Sequence, residues 1–234
     1  MFLANTPLII LAGGFGTRLK SVFSGPKPLA PVNNYPFLGY LINHYSSLGF
    51  REIILSTYYQ SDSIKNFIQS EFPNKNISII QEPKPLGTGG ALKYISQLKN
   101  LKFFFATNGD TYIDINSKTL NLFKKTQTAI VVTKVRNNDR YGEVIFDGFF
   151  NAESFNEKEN ISKSTDIFIN AGFYFLEKGI IDNMPTQINF SIEKFFDEIV
   201  ESKTIKCIQH EGLFIDIGIP EDYLKASKIM IHEN

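Results

Sequence analysis

Apolar and polar positions follow two rhythms along the chain. Compact apolar runs at 8–12 (LIILA), 52–57 (EIILST), 77–81 (ISIIQ) and 101–107 (LKFFFAT) have the length and the β-branched or aromatic content of buried strands. Helical spacing takes over between them. It appears at 36–48, which Gly49 stops, and at 61–72, which Ser61 opens and where Ile64, Phe67 and Ile68 share a face. It returns at 88–98, behind a glycine-rich start. Buried strands alternating with helices predict an α/β fold on a doubly wound sheet. Ligands bind such sheets beyond the carboxyl ends of the strands. Gly13, Glu82 and Asp110 each follow a strand end, so one site can gather them.

The rhythm changes past residue 115. A helix is expected over 116–124 and strands over 129–135, 143–146 and 152–155, with Arg140-Tyr141-Gly142 between the first two. Residues 156–165 read as a polar loop, and 167–176 as a strand with a glycine inside it. A helix with a Ser cap follows at 191–200, then strands at 204–209 and 213–216 and a helix over 220–230 opened by proline. No repeat, low-complexity tract or linker interrupts these segments.

Composition narrows the function. Of 234 residues 43% are apolar, which suits a globular core. Lys plus Arg number 24 and Asp plus Glu 24, so no basic footprint for nucleic acid or a membrane surface exists. Cys207 is the single cysteine, which excludes an internal disulfide and a cysteine metal site. The start lacks a basic leader, and 8–12 is too short to span a membrane; a cytoplasmic location is the expectation. His44, His210 and His232 have no metal-ligand spacing, and no nucleophile elbow is present.

Candidate chemistry concentrates in 8–31, LIILAGGFGTRLKSVFSGPKPLAP. Gly13 and Gly14 end the first strand; Gly16, Thr17 and Arg18 follow. Glycines let a backbone approach an anion closely, and a strand, turn and helix start make a phosphate site. Arg18 adds a forked cation and Lys27, stiffened by Pro26 and Pro28, a compact one. The run is neither a P-loop nor the dinucleotide fingerprint, whose spacings it lacks. Asp110 and Asp216, each at a strand end, read as turn or cap residues or as ligands for Mg²⁺, which takes one or two carboxylates plus phosphate oxygens. In 81–90, QEPKPLGTGG, Glu82 can accept from the adjacent N1–H and N2–H₂ of guanine, which favours GTP; Gln81 would suit a pyrimidine.

LAGGFGTRL followed by PKPL resembles the signature of the sugar-1-phosphate nucleotidyltransferases, and the resemblance runs over the whole chain. It implies a Rossmann-like mixed sheet in a single domain over 1–234, with 1–115 binding nucleotide and 116–234 the sugar phosphate. It implies transfer of a nucleotidyl group from an NTP to a sugar 1-phosphate. On this likeness Arg18 and Lys27 are catalytic, and Asp110 and Asp216 hold Mg²⁺. Leu11, Ala12, Gly13, Gly14, Gly16, Thr17, Glu82, Gly87, Thr88 and Asp110 bind nucleotide. Tyr141, Gly142, Glu157, Lys158 and Asn170 match the sugar-phosphate side, although Glu159 stands where the family usually has proline. Within the family, LAGGFGTRL, EPKPLGTGGAL and FIDIGIPEDY look most like the D-glycero-D-manno-heptose 1-phosphate guanylyltransferases. Alternatives are a guanylyl- or uridylyltransferase for mannose or N-acetylmuramate 1-phosphate, transfer to another alcohol phosphate, or a non-catalytic nucleotide-sugar-binding subunit. Larger relatives add a carboxy-terminal β-helix, for which this sequence has no hexapeptide repeat. Relatives are often dimers or tetramers, so a homo-oligomer is compatible.

Overall fold

A computed structural model describes residues 2–136, 140–156, 164–186 and 189–230. The first apolar run is β1 (Leu8–Leu11), followed by the short strands β2 (Pro31–Val32) and β3 (Tyr35–Pro36) and by α1 (Phe37–Ser47). Next come β4 (Ile53–Thr57), α2 (Ser61–Glu71), β5 (Ile77–Gln81), α3 (Gly87–Leu98), β6 (Phe103–Asn108), β7 (Thr111–Ile113) and α4 (Ser117–Leu122). Then follow β8 (Ala129–Arg136), β9 (Glu143–Phe146), β10 (Ala152–Asn156), β11 (Asp166–Glu177) and α5 (Lys178–Asn183). The chain ends with α6 (Ile192–Ile199), β12 (Lys206–His210), β13 (Phe214–Asp216) and α7 (Pro220–Ile229). The main sheet is mixed, with strand order β12-β8-β11-β6-β1-β4-β5. Its β5-β4-β1 flank runs parallel, as the alternation of buried strands and helices requires.

The chain divides into two compact units interleaved in sequence. One comprises Met1–Pro85, Thr107–Asp114 and Leu213–Asn234; the other Leu86–Ala106 and Ile115–Gly212. α3 and most of β6 go with the second unit, and β13 and α7 return to the first. In the first unit Leu8, Ile9, Ile10, Ile54 and Leu55 are fully buried. Tyr45 of α1 is buried too, its hydroxyl 3.3 Å from Thr107 Oγ1. Burial raises the pKa of that phenol and keeps it neutral. β13 pairs antiparallel with β7, setting Asp216 opposite Thr111.

In the second unit β8 runs antiparallel to β11 and parallel to β12. Phe105, Phe123, Phe173 and Phe175 form its aromatic core, with ring centroids 4.8 Å apart for Phe105 and Phe175. The register of β11 against β8 shifts between Asn170 and Tyr174, where Gly172 takes φ +72°. The glycine expected inside this strand therefore marks a bulge.

Two local expectations need correction, and one element was not foreseen. The glycine turn after β1 leads to a single 3₁₀ turn, Thr17–Leu19, and not to the start of an α-helix. Ser61 does not cap α2; Gln60 occupies that position and the Ser61 hydroxyl lies 2.8 Å from Thr57 Oγ1 instead. The β2–β3 hairpin was not predicted; Asn33 and Asn34 form its turn at φ +49° and +63°.

Candidate functional site

The first unit builds its site where β1 stops. Gly109 N donates to Leu11 O at 2.9 Å and Ala12 N to Ser56 O at 2.8 Å, so the strand end is clamped on both sides. The chain then turns over Glu82. A Cβ on Gly13 would lie 2.6 Å from Glu82 Oε1, so any larger residue would have to displace that carboxylate. Gly16 has φ +60°, and a Cβ there would press on Lys27 Cβ at 3.0 Å. The loop thus lies directly on the two side chains that flank it, Glu82 and Lys27. Gly14, Thr17 and Arg18 are exposed, and Leu11, Gly13 and Gly16 are half-buried. Phe15 meets the rings of Tyr58 and Tyr59, each centroid 5.7 Å away. With the helix missing, anion binding rests on the backbone N–H groups of the loop and on its cations.

Lys27 begins the 3₁₀ turn Lys27–Leu29 between the buried Pro26 and Pro28. Its ammonium donates to Asp110 Oδ2, and its side chain is only 11% exposed. Asp110 Oδ1 accepts from Thr111 Oγ1 at 3.3 Å. Ile217 N donates to the backbone carbonyl of Asp110 at 3.0 Å, which ties the Asp216 segment to the Asp110 segment. Gly218 N donates to Asp216 Oδ1 at 2.6 Å and fixes that carboxylate. The β7–β13 pairing therefore brings together two aspartates more than a hundred residues apart in sequence. Two hard carboxylate donors, Asp110 in the turn before β7 and Asp216 at the end of β13, suit Mg²⁺, with phosphate oxygens and water completing its shell. Among the described residues, no cluster of three or more His, Cys, Asp or Glu forms a metal cage, which a softer or closed site would need.

Glu82 is 7% exposed. Its backbone N–H bonds Thr57 O at 2.8 Å, and Ser56 Oγ donates to its Oε1 at 2.9 Å. Gln81 is exposed. The carboxylate is therefore the oriented member of the pair. Ser56 and Thr111 were missed from the sequence; each is a polar residue inside a strand, a signal that also fits an ordinary edge position.

The other predicted residues lie in the second unit. Gly87 opens α3 at φ +70°, and Thr88 Oγ1 accepts from Ile192 N at 2.9 Å. Tyr141 and Gly142 precede β9 and are half-buried, with the Arg140 guanidinium 4.7 Å from the Tyr141 ring centroid. Asn170 sits at the β11 bulge, where its Nδ2 donates to Glu193 Oε1 at 2.9 Å and to the Tyr174 hydroxyl at 2.8 Å. Glu157 and Lys158 fall outside the described residues. Cys207 is buried, which pushes its thiol up to about 12 and removes it as a nucleophile.

A family model described as Nucleotidyl transferase matches residues 8–233. D-glycero-alpha-D-manno-heptose 1-phosphate guanylyltransferase of Campylobacter jejuni is 38% identical, covering 92% of this chain and 96% of that protein. The protein of the same name from Aneurinibacillus thermoaerophilus is 34% identical, covering 96% and 98%. The crystal structure of HddC from Yersinia pseudotuberculosis, solved also in complex with GMP-PN, superposes with a TM-score of 0.82 at 36% identity, covering 95% of this chain and 98% of that one.

Proposed function

The chain belongs to the nucleotidyl transferase family, and from that membership we propose that it transfers GMP from GTP to D-glycero-D-manno-heptose 1-phosphate, releasing pyrophosphate. The observation that carries this reading is the assembly, in one compact unit, of the glycine loop, Lys27, Asp110 and Asp216 around the end of β1. The near full-length similarity to heptose 1-phosphate guanylyltransferases, and the GMP-PN bound to HddC, support the choice of nucleotide and sugar.

A phosphate oxygen of the sugar attacks the α-phosphorus in line and pyrophosphate leaves, so positioning and charge stabilisation suffice. The N–H groups of Gly13 to Thr17 and the exposed Arg18 guanidinium hold the β- and γ-phosphates. Lys27 exchanges its Asp110 partner for an α-phosphoryl oxygen and stabilises charge as the bond to pyrophosphate breaks. Glu82, oriented by Ser56, accepts from guanine N1–H and N2–H₂. By resemblance Leu11 and Ala12 serve the nucleotide in the first unit; in the second, Gly87 and Thr88 carry the family's base-side motif, and Tyr141, Gly142, Glu157, Lys158 and Asn170 match its sugar-phosphate motifs. Asp110 and Asp216 would hold Mg²⁺, which when bound would neutralise phosphate charge.

Pyrophosphate release tests this reading with Mg²⁺, each of GTP, UTP, CTP, dTTP and ATP, and heptose or mannose 1-phosphate. Turnover with GTP and the heptose is expected. Turnover with UTP or dTTP alone would overturn the role of Glu82, and silence with every pair would overturn the activity.

A further inference from the structure

The second unit holds a carboxylate that the sequence did not single out. Glu193 lies in the first turn of α6, which Ser191 caps by accepting from Lys194 N at 3.2 Å. One of its oxygens, Oε1, accepts from Asn170 Nδ2 at 2.9 Å and from the Tyr174 hydroxyl at 3.2 Å. Both Nδ2 hydrogens of Asn170 are engaged, since Nδ2 also donates to the Tyr174 hydroxyl, and its Oδ1 accepts from Gly172 N at 3.0 Å. The β11 bulge thus turns an asparagine and a tyrosine toward one glutamate. Apart from these donors and its own backbone N–H, Glu193 has no donor and no ion pair among the described residues.

This arrangement is costly if it is only a tie between α6 and β11. Burial disfavours the charged form and raises the pKa of Glu193. A glutamine would accept the same two hydrogen bonds from Asn170 and Tyr174 with no charge to desolvate. An ionised carboxylate has about four acceptor positions, and two side-chain donors on Oε1 leave capacity for more. Donors that match such a group without adding charge are hydroxyls, and adjacent hydroxyls of a sugar ring match it in pairs.

We propose that Glu193 reads ring hydroxyls of the sugar 1-phosphate, and that Asn170 and Tyr174 are positioning residues that aim it. This rests on the sugar-phosphate reading above and deepens it. Asn170, matched to the sugar side by resemblance, serves the sugar by orienting Glu193.

The test compares wild type with Glu193→Gln and Tyr174→Phe. Glu193→Gln should raise KM for the sugar 1-phosphate about tenfold or more, the scale of losing a hydrogen bond to a charged group. KM for GTP should stay within about twofold. Deoxy analogues of the sugar 1-phosphate, each missing one hydroxyl, give the readout that a structural tie would not move. The penalty of Glu193→Gln should vanish with the analogue lacking the hydroxyl that Glu193 reads and persist with the others. Tyr174→Phe should give a smaller rise in sugar KM. A sugar KM within about twofold of wild type in Glu193→Gln would overturn the proposal, as would an equal penalty with every analogue. If wild type turns over a different sugar 1-phosphate, the same comparison is made with that substrate and the heptose reading alone falls. If calorimetry shows that wild type binds none of heptose, mannose and glucose 1-phosphate, the functional reading falls and this proposal with it.

Discussion

Lys27 and Asp110 hold each other in an ion pair. The ammonium rests on one of the two carboxylates suited to the metal, so lysine and cation compete for the same oxygens. Lys27→Met should therefore tighten Mn²⁺ binding in the absence of nucleotide by several-fold, read by electron paramagnetic resonance. The same variant should lose about a hundredfold in kcat, the scale of removing one preorganised donor to transition-state charge. Unchanged metal affinity would mean that the pair does not gate the carboxylate. Gly13 offers a second residue-scale test. A methyl there meets Glu82 Oε1 at 2.6 Å, so Gly13→Ala should cost about 1–3 kcal/mol in a denaturant melt, as overpacking does. Glu193 predicts a pH effect. Its folded pKa lies above the ordinary 4.5, so the folded state holds that proton longer than the unfolded state. The penalty is absent below pH 4.5 and grows as pH rises through the folded pKa. Glu193→Gln should leave the melting temperature unchanged near pH 4 and raise it at pH 7. Gly13, Lys27, Asp110 and Asp216 were legible because their chemistry is unusual for the positions they occupy. Glu193 was not, since a glutamate in the first turn of a helix is what the helix dipole already favours.

Elements were legible where apolar periodicity dictated them and illegible where backbone geometry did. The strands at 8–11, 53–57 and 77–81 follow directly from short runs rich in Ile and Leu. The β2–β3 hairpin has no such run: two residues pair on each side, and the turn is made by Asn33 and Asn34 in left-handed conformations. Asparagine is one of the few residues that enters this region readily, and two in a row are a signature of a type I′ turn that periodicity does not register. This gives an element-scale prediction. Asn33 is needed as it stands, because its Nδ2 donates to Met230 O at 2.5 Å. Asn34 has no such bond among the described residues. Asn34→Gly should stabilise the fold by roughly 0.5–1 kcal/mol and Asn34→Val should destabilise it by about 1–2 kcal/mol. Denaturant midpoints would show this, and an equal midpoint for both variants would argue against turn control. The expected helix after the glycine loop failed for a related reason. Gly16 at φ +60° precedes this segment and Pro26 in extended backbone follows it, and only Thr17–Leu19 makes a helical turn between them.

At the scale of the molecule, the two compact units are interleaved along the sequence. The chain leaves the first unit after Pro85, returns for Thr107–Asp114, and returns again at Leu213. Each return brings one aspartate, Asp110 and then Asp216, to the strand end that carries the glycine loop. The phosphate side is therefore assembled from the beginning, middle and end of the sequence, and its stability is linked to ligand in a way that can be measured. A ligand that binds the folded state alone at a hundred times its Kd stabilises by about 2.7 kcal/mol. For a chain of this size each kcal/mol moves the melting temperature by roughly 2–4 °C. GTP with Mg²⁺ should thus raise it by about 5–11 °C at that saturation, and GTP with EDTA by less. Asp216→Asn should erase the difference between the two conditions while leaving the EDTA response in place, because the loop, Arg18 and Lys27 still bind phosphate. A Mg²⁺-dependent increment that survives in Asp216→Asn would remove Asp216 from the metal site, and a response lost in both conditions would show that this carboxylate holds the loop together and not the cation.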